Sequence, residues 1–215
     1  TSDELLLDLE DQSSRTDYLR IWESKDYFVV LGLGKNKEKE VYTNNCNRDS
    51  IPVLRRCSGG GTVLQGPGCI NYSLVLKINE NTKNISATNN YIMQKIANGF
   101  INNGYPLSVK GFTDLTFQGL KVSGNAQRRK KNMLLFHGTI LYNFNLNQIS
   151  KYLKIPEVMP EYRQRKAHEK FVRNLNINQE EIKQILTKTW LAKNINKLEK
   201  NKFKAISFDP NKYRY

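Results

Sequence analysis

The sequence predicts a fold of mixed α/β class, an α+β arrangement of mixed sheets with flanking helices. Short apolar segments of strand length recur along the chain, and they alternate with segments in which apolar residues follow helical spacing. The predicted strands are 26–33, a short one through Val53 and Leu54, 71–78, 115–122 and 133–142; the predicted helices are 3–11, 88–103, 161–173 and 179–195.

Local signals justify the elements of the first half. Ser2 and Asp3 precede a cluster of leucines among acidic residues, which is typical of a short capped helix at 3–11. The apolar strand 26–33 ends at glycines that open a charged loop through Glu40. Three consecutive glycines at 59–61 are too many for the middle of a helix or strand, so a loop is predicted there.

The second half follows the same reasoning. Apolar residues of helix 88–103 (Ile92, Ile96, Phe100) share one face, and Asn103-Gly104 provides its end. Strands 115–122 and 133–142 are predicted to form a long hairpin with the basic run 128–131 at its tip. The last helix carries an apolar stripe, which predicts core packing; its members are Ile182, Ile185, Leu186 and Trp190.

Length, net charge and cysteine content limit the domain organisation and the kinds of partner expected for this chain. The 215 residues predict one main domain at 1–175 and a short basic helical extension at 176–215, too small for a full accessory domain. A formal charge of +14 predicts an anionic partner. No apolar run approaches the roughly 18 residues of a membrane span. Three cysteines without a paired metal motif favour a reducing compartment, cytoplasmic or organellar, and argue against structural zinc.

The most informative segment is the glycine loop, defined here as residues 55–63, Arg55-Arg56-Cys57-Ser58-Gly59-Gly60-Gly61-Thr62-Val63. Consecutive glycines let a backbone approach a ligand and present N–H groups to an anion, and two arginines add fixed positive charge. A flexible surface turn is the competing interpretation. The segment has neither the spacing of a Walker loop nor that of a dinucleotide-binding loop.

A second segment, Gly119-Leu120-Lys121-Val122-Ser123-Gly124-Asn125-Ala126, surrounds one lysine with small residues. On a strand, Gly119, Lys121 and Ser123 point the same way and leave space over the ammonium group. Such a lysine serves as a point charge for a phosphate or acyl oxygen. A solvated lysine on an edge strand is the competing interpretation.

Three further features have two interpretations each. His137 is expected as a partly buried structural histidine or as the wall of a ligand pocket. Cys57 and Cys69 lie in or near glycine-rich loops, so each is either an accessible nucleophile or a small buried thiol. The basic run 128–131 is either a solvated turn or a docking site for an acidic partner.

Together these segments resemble the lipoate–protein ligase and octanoyltransferase family, which is related to the biotin–protein ligases. The glycine loop is similar to the family's Arg-Arg-x-Ser-Gly-Gly-Gly motif. Asp114-Leu115 followed by Lys121-Val122-Ser123-Gly124-Asn125-Ala126 resembles its Asn-Asp-Leu and Lys-Val-Ser-Gly-Ser-Ala signature, and His137-Gly138-Thr139-Ile140-Leu141 its His-Gly-Thr strand. Residues from about 3 to 175 carry the resemblance, with Tyr162 to Phe171 similar to a helix of shorter members.

The resemblance implies a fold related to class II tRNA synthetases and biotin synthetases. It also implies ATP-dependent activation of lipoate or octanoate as acyl-AMP, followed by transfer to a carrier lysine, with no tightly bound cofactor. Lys121 would be the catalytic residue and Asp114 would lie near the attacking amine or a Mg²⁺ ion. The residues implied to bind substrate or adenylate are Arg55, Arg56, Ser58, Gly59, Gly60, Gly61, Thr62, Asp114, Ser123, Gly124, Asn125, Ala126, His137, Gly138 and Thr139.

The implied partners are acidic lipoyl-carrier domains, such as E2 subunits and H protein, and alternatively acyl carrier protein or an accessory subunit. The chain departs from the ligase pattern after Val63 and at Thr113. One alternative is therefore an ATP-independent octanoyl or lipoyl transferase, for which Cys69 is the candidate nucleophile. Another is a non-catalytic basic binding protein, for example of RNA, although no nucleic-acid signature is visible. Neither a membrane nor a nucleic acid is the expected partner.

Overall fold

The computed structural model describes residues 3–4, 7 and 17–191, which form two β-sheets with helices packed against them. The strands are β1 (Tyr18–Glu23), β2 (Phe28–Leu31), β3 (Val53–Arg55), β4 (Val63–Gln65), β5 (Cys69–Lys77), β6 (Leu107–Lys110), β7 (Asp114–Phe117), β8 (Leu120–Lys130) and β9 (Met133–Leu141). The helices are α1 (Lys37–Glu40), α2 (Thr43–Arg48), α3 (Ile85–Ile101), α4 (Asn147–Tyr152), α5 (His168–Phe171) and α6 (Gln179–Thr189), with 3₁₀ turns at Glu80–Thr82 and Glu161–Arg163. The predicted mixed α/β class is confirmed.

The larger sheet has six strands in the order β1-β5-β9-β8-β7-β6, and its neighbours pair antiparallel. Strand β5 is an interior strand, paired with β1 on one side and β9 on the other, and its residues are buried along nearly its whole length. The four strands β6 to β9 follow one another in sequence as a meander. The meander carries Asp114, Lys121 and His137.

The smaller sheet has three strands in the order β3-β2-β4 and is itself mixed, since β2 pairs parallel with β3 and antiparallel with β4. The glycine loop connects the edge strands β3 and β4. It packs back on the middle strand, where the Leu33 N–H donates to the Ser58 carbonyl (2.8 Å) and the Arg56 N–H to the Leu31 carbonyl (3.0 Å). The loop is therefore anchored at one end of this sheet.

Helices α3 and α6 cover one face of the larger sheet and share its main core. The predicted apolar faces are confirmed. Ile92, Ile96 and Phe100 of α3 are buried. So are Ile182, Ile185 and Leu186 of α6, and the predicted Trp190 is partly buried against the same core. The helices approach closely at Gly99, where a Cβ atom would overlap the Thr189 side chain. Because α6 packs in the same core, the predicted domain boundary at residue 175 does not coincide with a break in packing.

Several predicted elements differ from the structure. The strand 115–122 is divided by a tight turn at Gln118 and Gly119, both of which have positive φ angles, and the second strand continues through 124–130 instead of forming a loop. The basic run 128–131 therefore lies mostly on β8, with only its end at the turn. Likewise, part of the expected loop through Glu40 is α1.

The predicted helix 161–173 is wrong. It consists of a 3₁₀ turn and the short helix α5, separated by Gln164 and Arg165, which have left-handed backbone angles that end a helix. Of the predicted helix 3–11, only residues 3, 4 and 7 are described, and these are helical; its remainder and residues 192–215 of the predicted extension lie outside the described residues. Within the described part, no helix is both long and apolar enough to cross a bilayer.

Candidate active site

Lys121 lies at the start of β8 and points toward Asp114 on the neighbouring strand β7. Its Nζ is 2.8 Å from the Asp114 Oδ1, and the two side chains are 27 % and 14 % exposed. The backbone at Lys121 is fixed on both sides, since it pairs with Thr116 of β7 and accepts a hydrogen bond from the Arg173 N–H. A Cβ atom on Gly124 would lie 2.9 Å from the lysine Nζ. The ammonium group therefore lies beside Gly124, where a side chain would push the flexible end of the lysine aside.

The second oxygen of Asp114 is also occupied. The Tyr162 hydroxyl donates to the Asp114 Oδ2 at 2.6 Å, and burial together with the negative charge of Asp114 raises the pKa of Tyr162. The Tyr162 ring lies 5.2 Å from the ring of Phe171, and the Lys121 Nζ lies 6.0 Å from that same ring. Tyr162 was not predicted as a site residue, because nothing in its local sequence shows that this turn reaches back to β7.

The Mg²⁺ contact implied for Asp114 stays a prediction. Both carboxylate oxygens of Asp114 have protein partners, Lys121 and Tyr162, although each oxygen keeps a second lone-pair site. Nowhere in residues 3–4, 7 and 17–191 do three or more histidine, cysteine or acidic side chains come together as a metal-binding group. A Mg²⁺ ion at Asp114 would therefore take most of its ligands from substrate phosphates and water.

Asn125 connects the site to the centre of the sheet. Its Nδ2 donates to the Thr113 carbonyl (2.7 Å) and to the Ser123 Oγ (3.1 Å), and its Oδ1 accepts from the Tyr72 hydroxyl. Thr113 returns a hydrogen bond to the Asn125 carbonyl at 2.8 Å. The amide lies directly over Gly138, where a Cβ atom would overlap it. Asn125 and Gly138 thus fix the strand that leads into Asp114.

Arg56 bonds to the glycine loop itself. Its Nη2 donates to the carbonyls of Gly59 (2.6 Å) and Gly61 (2.8 Å), and its Nε donates to the Ser58 Oγ (3.1 Å). Burial lowers the pKa of Arg56 to about 10. The guanidinium group therefore holds the shape of the glycine loop, and its contact with substrate or adenylate stays a prediction.

Arg55 also bonds to backbone, and Ser58 faces inward. The Arg55 Nη1 donates to the carbonyls of Gly32 (3.0 Å) and Lys35 (2.8 Å). Ser58 is buried, and its Oγ lies 2.6 Å from the His137 Nε2. Burial and the nearby Arg56 charge lower the pKa of His137 to about 4, so its imidazole is neutral at pH 7. His137 is thus a partly buried structural histidine at the base of the loop.

The glycine loop lies over β8. A Cβ atom on Gly60 would lie 3.8 Å from the Ala126 Cβ, and Ala126 pairs with His137 across the β8–β9 ladder. Along β8, the chain runs from Lys121 beside Gly124, through Asn125 beside Gly138, to Ala126 beneath the loop. The structure therefore brings the predicted lysine, small-residue and glycine-loop motifs to one continuous surface. Thr62 lies near the end of the glycine loop, and its hydroxyl is buried. Thr139 lies on β9 two residues after His137.

This surface combines the groups that an anionic reaction requires. One ammonium group is fixed beside a carboxylate, and the glycines at 59–61 are open to solvent with no atom close to where a Cβ would stand at Gly59 or Gly61. Preorganised cations and N–H groups stabilise the negative charge that develops in acyl and phosphoryl transfer. A shallow depression of about 610 Å³ is lined by residues 34–38 and Arg55, and Lys121 is not among its lining residues.

Of the two interpretations of Cys57 and Cys69, the structure agrees with the small buried thiol. Cys57 and Cys69 are buried. Burial raises the pKa of Cys57 to about 11 and that of Cys69 to about 12, and Glu23 contributes at Cys69. A thiol acts as a nucleophile only as the thiolate. Neither side chain is therefore placed or ionised to attack an acyl group.

Comparison with known proteins agrees with the geometry. Residues 1–197 match the family model described as lipoyl protein ligase A/B catalytic domain. A probable lipoate-protein ligase A of Mycoplasma pneumoniae is 31 % identical over 128 residues, which are 59 % of this chain and 37 % of that protein. The chain spans 37 %, 39 % and 50 % of three curated ligase relatives, so it is similar to only part of their length.

Solved structures show the same fold. One is a bi-partite lipoate protein ligase studied with its E2 lipoyl domain from Thermoplasma acidophilum; it has a TM-score of 0.74 at 22 % identity and covers 87 % of this chain and 76 % of its own. Another is a lipoate-protein ligase A bound with ATP, which has a TM-score of 0.72 at 20 % identity and covers 88 % of this chain and 79 % of its own. At these identities the likeness establishes the fold.

Proposed function

This chain belongs to the lipoyl protein ligase A/B catalytic domain family, and from that membership and the site geometry we propose that it activates lipoate with ATP as acyl-AMP and transfers the acyl group to a carrier lysine. The observation that carries the proposal is the position of Lys121. Its ammonium group pairs with Asp114 of β7, and Lys121 itself stands at the start of β8, the strand that runs beneath the glycine loop.

In the first half-reaction, a lipoate carboxylate oxygen attacks the α-phosphorus of ATP, and pyrophosphate leaves. Both reactants are anions, so their approach requires fixed positive charge. Lys121 supplies that charge, since an ammonium group on a flexible stem can contact a phosphate oxygen and the acyl oxygen together. The open backbone at 59–61 supplies N–H groups above the same surface.

In the second half-reaction, the ε-amine of the carrier lysine attacks the acyl carbonyl, an amide forms, and AMP leaves. Negative charge develops on the carbonyl oxygen, which Lys121 stabilises. The attacking amine must lose a proton. Asp114 is the carboxylate within hydrogen-bond distance of the Lys121 ammonium, and it becomes available as an acceptor when Lys121 turns to the acyl oxygen.

The comparisons support the substrates in this proposal. The relatives matched are called lipoate-protein ligases, one neighbour in structure is bound with ATP, and another was studied with an E2 lipoyl domain. The net charge of +14 favours an acidic carrier such as an E2 lipoyl domain or H protein. A cytoplasmic or organellar location accords with thiols that remain unpaired.

The test is lipoate-dependent exchange of labelled pyrophosphate into ATP. Lys121→Ala is expected to lower the exchange rate by about 100-fold or more, because one preorganised charge at the reacting oxygens is worth that much. Lys77→Ala, at an exposed lysine near the end of β5, is the matched control and should exchange like the wild type. No exchange by the wild-type protein with either lipoate or octanoate, or full exchange by Lys121→Ala, would contradict the proposal.

A transferase without ATP remains the second candidate, and the thiols distinguish it. A thioester route requires an accessible thiolate, and Cys69 is buried with a raised pKa. If octanoyl-carrier protein nevertheless supports turnover without ATP, mass spectrometry would show whether Cys69 carries an acyl group.

A further inference from the structure

We propose that an exposed apolar patch beside Lys121 and Asp114, formed by Phe112 and Val158 and called the rim patch below, is the docking surface for the acidic carrier domain. The inference rests on the proposed function, because it names the partner of the same site. It concerns which surface of this chain meets that partner, and it assigns no catalytic role to either residue.

The two apolar side chains of the rim patch are unusually exposed. Phe112 is 88 % exposed and Val158 is 82 % exposed, which makes them the two most exposed large hydrophobic side chains in the described part of the chain. The Phe112 ring stands on the turn between β6 and β7, where Gly111 has a φ angle of +56° and turns the chain outward. Apolar side chains grouped at a surface typically mark an interface.

The two side chains belong to one surface even though they are 46 positions apart. A Cβ atom on Gly111 would lie 3.6 Å from the Tyr162 ring and 3.7 Å from the Pro160 Cβ, so the β6–β7 turn contacts the segment 158–162 directly. Phe112 follows Gly111 directly, and Val158 lies two residues before Pro160. Through this contact the Cα atoms of Phe112 and Val158 are therefore at most about 18 Å apart, a distance that one docked domain can span.

The rim patch is continuous with the reacting groups. Phe112 is two residues from Asp114, a span of at most about 7 Å, and Tyr162 donates its hydroxyl to that aspartate. A carrier lysine reaches the acyl carbonyl on a four-carbon stem that is roughly 6 Å long. The surface that presents such a lysine must therefore touch the residues around Asp114, which include the rim patch.

Charge favours an acidic domain as the occupant. Exposed cations on the β6–β7 turn side and just after the segment 158–162 are Lys110, Arg165 and Lys166, and the exposed acidic residues beside them are Glu157, which pairs with Lys39, and Glu161. The small local excess of positive charge accompanies the +14 of the whole chain. Positive rims speed the approach of acidic partners and orient them, while apolar residues at the centre supply affinity.

The experiment measures binding directly, so that it does not depend on catalysis. An unmodified E2 lipoyl domain is titrated by calorimetry into the wild-type protein and into Phe112→Ser and Val158→Ser. Each substitution is expected to weaken binding by about tenfold, the loss typical of a truncated interface anchor, and raised salt should weaken wild-type binding. Ile85→Ser is the matched control, because Ile85 is 59 % exposed at the start of α3, outside the rim patch.

Pyrophosphate exchange is measured on the same variants and is expected to equal the wild-type rate. Equal carrier affinity in all variants, or no binding by the wild-type protein, overturns the proposal. Loss of exchange with carrier binding intact also overturns it, since the rim patch would then serve an accessory subunit or another part of the chain. Carrier binding through Phe112 by a protein that does not exchange pyrophosphate would uphold the docking surface and remove the proposed ligase activity.

Discussion

Substituting Gly138 by alanine tests the connection between Asn125 and the site. A Cβ atom at this position would overlap the Asn125 amide and lie 2.9 Å from the Tyr72 hydroxyl. Because Tyr72 is fully buried and Asn125 bonds to both Thr113 and Ser123, neither group can move without losing partners. The alanine variant therefore forces the amide out of its place.

The magnitude follows from the hydrogen bonds that are lost. Three side-chain bonds of Asn125 are broken, each worth about 1 kcal/mol net, while the Tyr72 hydroxyl keeps its side-chain hydrogen bond with Ser123. We expect the free energy of unfolding to fall by about 3 kcal/mol. This is a large part of the roughly 5–15 kcal/mol that holds a domain of this kind together.

The assay is urea unfolding followed by tryptophan fluorescence, with Gly59→Ala as the matched control. Nothing lies within 4 Å of where a Cβ would stand at Gly59, so that variant should unfold within about 0.5 kcal/mol of the wild type. When the two substitutions are combined, Gly138→Ala should lower the free energy of unfolding much less in the Asn125→Ala background than it does in the wild type. The reasoning is refuted if Gly138→Ala is as stable as Gly59→Ala, or if the two substitutions are additive.

Three other predictions concern the loop, the histidine and the thiols. Arg56→Lys cannot bond several loop oxygens at once, so protease cleavage within 58–61 should become faster while an Arg48→Lys control is unchanged. The pKa of His137 is lowered from 6.5 to about 4, so between these pH values the unfolded chain binds a proton that the folded chain does not. The free energy of unfolding should therefore be about 3 kcal/mol higher above pH 6.5 than near pH 4, and it should fall as the pH is lowered through this range. His137→Gln should lack this pH dependence when urea unfolding is measured across the same range. Cys57 and Cys69 should react with a thiol reagent at pH 8 only after denaturation, and fast labelling of the native protein would contradict their burial.

Where apolar spacing is long and regular, the sequence predicted the fold well. Helix α3 and strands β5 and β9 lie where the sequence places them, since each buries one extended apolar face. The turn at Gln118 and Gly119 was missed because Gly119 was interpreted as a small neighbour of Lys121, although a glycine within an apolar run is also a signal for a tight hairpin.

Site membership was easier to predict than side-chain orientation. The motifs around Lys121 and the glycine loop do come together, because they are adjacent strands and a loop over them. The direction of Arg56 was not predictable, since it depends on carbonyls that only the folded loop presents. Tyr162 depends in the same way on a tertiary contact, which also overrides the helical spacing of 161–173.

The order of strands in the larger sheet has a consequence for how the site forms as the chain folds. Strands β6 to β9 are joined by short turns within 107–141, so their contacts close small loops, whereas β5 must find β1 and β9 across about 50 to 70 intervening residues. The aspartate and the lysine thus reach their native separation through local contacts of low entropic cost. We therefore expect the glycine loop, which belongs to the other sheet, to join them after the long-range pairings have closed.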